Sequence, residues 1–126
     1  MRAADTNVVV RLLVRDEPDQ VRAAQDFIAG GTWISHVVLV EAAWVLSTIY
    51  QLGTAAIAQG VEMLLNDRDF VLQDPETVKG ALRTFRSRPK LGFNDCLILE
   101  IARRAGHLPL GTFDRELARV DGAERV

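Results

Sequence analysis

One cysteine and two histidines are all that the chain offers of the residues that cross-link or hold soft metals. Cys96 has no second thiol to pair with, which excludes an internal disulfide framework. With only His36 and His107 beside it, the ligand set that zinc needs is missing too. A reducing, cytoplasmic setting is the expectation. Apolar runs are short: the longest, Val37 to Tyr50, falls below the roughly 20 residues that span a bilayer and carries Glu41 inside it. It reads as a buried helix, and no membrane partner is expected. The opening MRAADTN carries Asp5 and no apolar stretch, so no secretory leader is expected. Low-complexity tracts, internal repeats and Pro/Gly/Ser linkers are also missing. The 126 residues, 48% hydrophobic and 25% charged, therefore predict one domain over residues 1–126 that can bury its own core.

A basic excess is lacking as well, since the net charge is −2, and nucleic-acid binders usually show a basic footprint. Acids committed to a metal site would leave the remaining surface mildly basic. All but two of the 15 cations, Lys79 and Lys90, are arginine, the side chain best suited to bidentate phosphate contact.

Punctuation along the chain suits short strands alternating with helices. MRAAD predicts a strand ending at Asp5, and TNVVVRLLVRD a first short helix. Pro18 opens a second helix that Gly30-Gly31 stops. After the strand TWIS, Ser35 caps a helix from His36 to Leu52. Helices over Thr54 to Leu65, Asp74-Pro75 to Arg86 and Asp95 to Ala105 follow, with FVLQ, HLPLGTF and AERV as further strands and DRELARV as a short helix. Strands separated by helices favour a parallel sheet covered on both faces, with functional groups outside the carboxyl ends of its strands.

Four acids stand out. Glu41 is the only formally charged residue between Phe27 and Val61, on a helix face with Val37, Trp44, Val45 and Thr48. Asp5 and Asp114 end strands, each beside a hydroxyl, Thr6 and Thr112. Asp95 begins a helix whose i+3, i+4 and i+7 positions are Ile98, Leu99 and Ala102, so it is expected to face inward. Singly, the three aspartates have ordinary accounts: an Asx-turn for Asp5, and helix N-terminal acids for Asp95 and Asp114. Together they read as one inward cluster. A bare cluster would repel itself, and a hard divalent cation, Mg²⁺ or Mn²⁺, resolves the conflict where the ligands are all oxygen.

The order DTN, a glutamate in VVLVEAAWVL, GFNDCLI before a long helix, and TFD near the end resembles the PIN domains, most closely the VapC-type toxins of bacterial toxin–antitoxin pairs. The resemblance covers essentially the whole chain. It implies a three-layer α/β/α sandwich with a short, mostly parallel, four- to five-stranded sheet. It further implies a homodimer, Mg²⁺- or Mn²⁺-dependent endoribonuclease activity, and neutralisation by a small antitoxin whose tail occupies the active-site groove. Carried over by position, metal ligation falls on Asp5 and Asp95 first, with Asp114 and Glu41 completing the catalytic acids. Thr6, Asn7 and Thr112 would hold those carboxylates in place. Glu116 stands where many members carry a further aspartate, and its longer side chain argues against a metal role.

Between Glu76 and Asp95 there is no acid, while Lys79, Arg83, Arg86, Arg88 and Lys90 are cationic. The first three share one helix face, either a solvated face or a ridge that positions an RNA backbone. Cys96 reads as a small buried filler, and Trp33, Trp44 and Phe93 as core or dimer contacts. Two rivals stand beside the nuclease: a PIN-like module that binds RNA or protein without cutting, and a receiver-type domain phosphorylated on Asp5. The second would need a lysine at a late strand end, and neither Lys79 nor Lys90 is placed there.

Overall fold

The computed structural model describes all 126 residues. They form two compact units, Met1–Pro75 and Glu76–Val126. The first runs β1 (Arg2–Ala3), α1 (Thr6–Val14), α2 (Pro18–Ile28), β2 (Thr32–Ile34), α3 (His36–Thr48), α4 (Thr54–Asn66) and β3 (Phe70–Leu72). The second holds α5 (Pro75–Ser87), α6 (Phe93–Arg104), β4 (Leu110–Thr112), a 3₁₀ turn (Leu117–Arg119) and β5 (Ala123–Arg125). No helix is long and apolar enough to cross a membrane.

The fold is α/β with short parallel strands. All five strands are present, and every pairing is parallel, but the ladders divide into a three-stranded sheet, β1-β2-β3, and a two-stranded one, β4-β5. β2 is the central strand of the first sheet. Its Thr32 is fully buried, and the hydroxyl is satisfied by donating to the Arg2 carbonyl at 3.1 Å, as a buried polar group requires. Ile34, Phe70 and Leu72 are buried on one face, whereas the register partners Trp33 and Val71 remain exposed on the other.

Local signals place most helix ends. Pro18 is the first residue of α2, and Gly30 and Gly31, at φ 86° and 111°, take the chain out of it through conformations that suit glycine. Ser35 caps α3 by accepting from the Val38 amide at 3.2 Å. Ser35→Ala is therefore expected to cost about 1 kcal/mol, measurable as a lower urea midpoint at unchanged slope. α3 ends four residues earlier than predicted. Gln51 adopts the left-handed region at φ 54°, and the Leu52 amide turns back to the Leu46 carbonyl at 3.0 Å.

α3 also corrects the orientation of Glu41. The helix is apolar on every side, and the face it buries is Leu39, Ala42, Ala43 and Leu46. The face predicted to be inward is outward: Val37 is 66% and Trp44 59% exposed, and Glu41 and Thr48 are exposed with them. Two alanines let neighbouring helices approach closely, and turning the lone carboxylate to water avoids a desolvation cost of several kcal/mol. In the second unit, α5 buries Val78, Ala81, Leu82 and Phe85. The Phe85 ring meets Phe93 of α6 edge to face at 5.6 Å. Phe93 is thus a core residue, as is Cys96, whose thiol is pushed up to about 12 by burial and by the neighbouring Asp95.

Candidate functional site

The four acids fall in two pairs, Asp5 and Glu41 in the first unit, Asp95 and Asp114 in the second. Asp5 occupies the N-cap position of α1, where an aspartate ordinarily accepts a bond from the helix, yet its carboxylate makes no such bond. It is exposed and uncommitted to its own helix. The next residue, Thr6, donates its hydroxyl to Glu41 Oε2 at 3.3 Å, linking the start of α1 to the exposed face of α3. Asn7 instead lines a groove between α1 and α2 of about 520 Å³, with Val8, Arg11, Gln20 and Phe27. Arg11 is fixed there by Asp16 at 2.6 Å, and Asp16 in turn accepts from the Tyr50 hydroxyl at 3.2 Å.

Asp95 is in the first turn of α6 and half-buried. Burial raises its pKa above the ordinary carboxylate value, and the charge of Asp114 raises it further. Asp114 is exposed beyond the end of β4. One of its oxygens, Oδ1, accepts from the amides of Glu116 at 2.8 Å and Leu117 at 3.1 Å, which caps the 3₁₀ turn. Thr112 supports the backbone of this acid, not its carboxylate, because the Asp114 amide donates to Thr112 Oγ1 at 3.0 Å. Asp114 thus performs the structural task expected of a helix N-terminal acid with one oxygen and leaves the other unclaimed by that turn. Glu116 lies 3.8 Å from the Arg119 guanidinium.

No three acids, histidines or cysteines stand together as a ready-made metal cage. The donor chemistry still suits a hard divalent ion. Asp114 is near enough for its charge to raise the Asp95 pKa, and Mg²⁺ is commonly held by one or two carboxylates, with waters and substrate phosphate completing the shell. A bound cation would offset both the burial and the like charge that raise the Asp95 pKa.

The predicted basic stripe is exposed on α5. Lys79 pairs with Glu76 at 3.3 Å, Arg83 and Arg86 stand along the same outer face, and Lys90 is exposed in the following loop. Arg88 donates to the Arg119 carbonyl at 3.3 Å, which makes it partly structural. His36 opens α3 with Nδ1 buried and unpartnered. Burial lowers its pKa, opposed by the charge of Asp74. Sequence reasoning passed over Glu100, an acid only 8% exposed, held by Arg103 at 3.3 Å and Arg104 at 3.1 Å. Arginines at i+3 and i+4 were the available signal, though the same spacing is ordinary on a solvated helix.

No curated protein and no solved structure matches the chain significantly. The PIN domain matches it over residues 3–123, a span that includes all four acids. PIN domains are generally nucleases and typically use divalent metals. With parallel-stranded α/β architecture and a match across nearly its whole length, the chain belongs to the PIN domain family.

Proposed function

We propose that the chain is a metal-dependent endoribonuclease and the toxin of a VapC-type pair, with Asp5, Glu41, Asp95 and Asp114 as its acidic residues. The carrying observation is the Asp95–Asp114 pair, in which burial and a like charge raise the pKa of Asp95. A raised carboxylate pKa costs the fold stability at neutral pH, and perturbed acids cluster where chemistry is done. Asp95 and Asp114, both in the second unit, would hold the Mg²⁺ or Mn²⁺. When bound, the ion supplies a lowered pKa for the attacking water and neutralises charge on the phosphodiester. Glu41, which accepts from the Thr6 hydroxyl, completes the acidic set, and hydrolysis of the phosphodiester by water would leave a 5′-phosphate and a 3′-hydroxyl. The stripe of Lys79, Arg83 and Arg86, extended by Arg88 and Lys90, positions the RNA backbone without reading sequence.

The partners in this reading are an RNA substrate, a small antitoxin and a second copy of the chain. Exposed Val37 and Trp44 on α3, and Trp33 and Val71 on the first sheet, give apolar surface of the kind that protein partners cover. Purified protein should cleave RNA with Mn²⁺ and stop on addition of EDTA. Asp5→Asn should be inactive although its residue lies in the other unit from Asp95. Cleavage that survives both EDTA and Asp5→Asn would remove the metal mechanism, and metal-independent RNA binding with no cleavage would leave the non-catalytic module.

A further inference from the structure

Of the five phenylalanines, Phe70, Phe85 and Phe93 are buried and Phe27 is half-buried, but Phe113 is 75% exposed. It follows the last residue of β4 and directly precedes Asp114. Exposure here does not come from a loose backbone. The Thr112 carbonyl accepts from the Val126 amide at 2.9 Å, and Thr112 Oγ1 accepts from the Asp114 amide at 3.0 Å. On the far side, Asp114 Oδ1 holds the amides of Glu116 and Leu117, and Leu117 is buried. Phe113 is therefore an aromatic ring presented to solvent between two pinned residues, with exposed Arg115 just beyond.

We propose that Phe113 is a stacking platform for a nucleobase of single-stranded RNA, seated next to the acid that the nuclease reading assigns to the metal. The inference rests on that reading for its substrate class. Three consecutive exposed residues bring three chemistries that one nucleotide needs: a ring for the base, a carboxylate for the ion on its phosphate, and a guanidinium for the phosphate charge. Strand ends of parallel sheets are where such groups gather. A protein interface would call for a contiguous apolar patch, whereas the chain neighbours are Gly111, Thr112, Asp114 and Arg115, and exposed Val126, whose amide bonds the Thr112 carbonyl, adds a single aliphatic side chain. A single π face suffices for a base. Stacking of this kind tolerates every base, so Phe113 supplies affinity and position without sequence choice. A rigid frame adds to this, because little ordering cost remains at the moment of binding.

The test uses the full chain and a fluorescein-labelled single-stranded RNA of mixed sequence, titrated in EDTA so that nothing is cut. Phe113→Ala should weaken binding about tenfold, a typical loss for one stacked base. Phe113→Trp should retain it, and Phe113→Leu, which keeps apolar bulk without a π face, should bind as weakly as alanine. An exposed side chain makes all three variants expected to melt as the parent does. With Mn²⁺ present, KM should rise by the same factor while kcat moves little, as for a contact made equally in ground and transition states. Unchanged RNA binding in Phe113→Ala, or full rescue by leucine, overturns the platform. So does a variant that keeps RNA binding and loses self-association, which would place the ring in a protein interface. Parent protein that binds RNA through Phe113 and never cleaves it supports the platform and overturns the nuclease reading alone.

Discussion

Asp95→Asn is expected to abolish RNA cleavage and at the same time to raise the melting temperature of the metal-free protein. Even residues that only orient a metal ligand are worth about 10- to 100-fold in activity or affinity, so loss of a ligand itself should exceed ~100-fold. The stability gain has a separate origin. Folding half-buries the Asp95 carboxylate and sets it near Asp114, which raises its pKa above the ordinary 3.8. The folded state then binds that proton more tightly than the unfolded chain. The contribution to stability is fully present below the unfolded value and is lost as pH rises through the folded one. At neutral pH the parent carries the whole penalty, and asparagine removes it. Because the group is only half-buried, screening keeps the rise small. Adding MnCl₂ should raise the melting temperature of the parent and leave that of Asp95→Asn nearly unmoved, so the order of the two narrows or inverts. A variant less stable than the parent in EDTA would instead mark Asp95 as an ordinary helix acid. Loss of activity with gain of stability is the signature of a residue kept for chemistry at a cost to the fold.

What could be read in advance followed the range of each signal. Pro18, the Gly30-Gly31 pair and Ser35 act within a turn of themselves, and the helix boundaries beside them were predictable for that reason. The acids at strand ends were legible because β4 and the strand–helix junction at Asp5 are short and sharply bounded. Glu41 was found but turned the wrong way. A helix apolar all round has no periodicity to choose a face, and only the small Ala42 and Ala43 hinted at which side would pack. Strand pairing was less accessible still. Segments of two or three residues bury too few side chains to specify partners, so the division into three and two strands had no local trace. Whether the acids form a cage is likewise a matter of distance between elements, and spacing along the chain does not encode it.

Glu100 is the case where a distant contact decides everything, and Gly80→Ala is expected to expose it by lowering the melting temperature about 5–10 °C. On propensity alone the substitution should help, because alanine in a helix interior is favoured over glycine by about 1 kcal/mol. Gly80 is interior to α5, buried, and has no left-handed conformation to justify it. Its justification is the Glu100 side chain on α6, since a methyl at Gly80 would lie 2.6 Å from both Cδ and Oε2 of that carboxyl. The tip of a glutamate could ordinarily swing aside. This one is held by the guanidinium groups of Arg103 and Arg104, and Arg103 is itself anchored by donating to the Asp121 carbonyl at 2.6 Å. Displacing the carboxylate strands it away from two cations in a site where it is 8% exposed, so overpacking and lost pairing together should cost ~1–3 kcal/mol. The decisive comparison is a double-mutant cycle by urea denaturation. In the Glu100→Ala background the obstacle is gone, and Gly80→Ala should recover its propensity and stabilise by about 0.5–1 kcal/mol. The sign of one substitution would thus reverse with its partner, a coupling of about 2 kcal/mol between residues in contact. Equal effects of Gly80→Ala in the two backgrounds would mean that α5 and α6 adjust without Glu100, and that the close approach at Gly80 is not what places the buried acid.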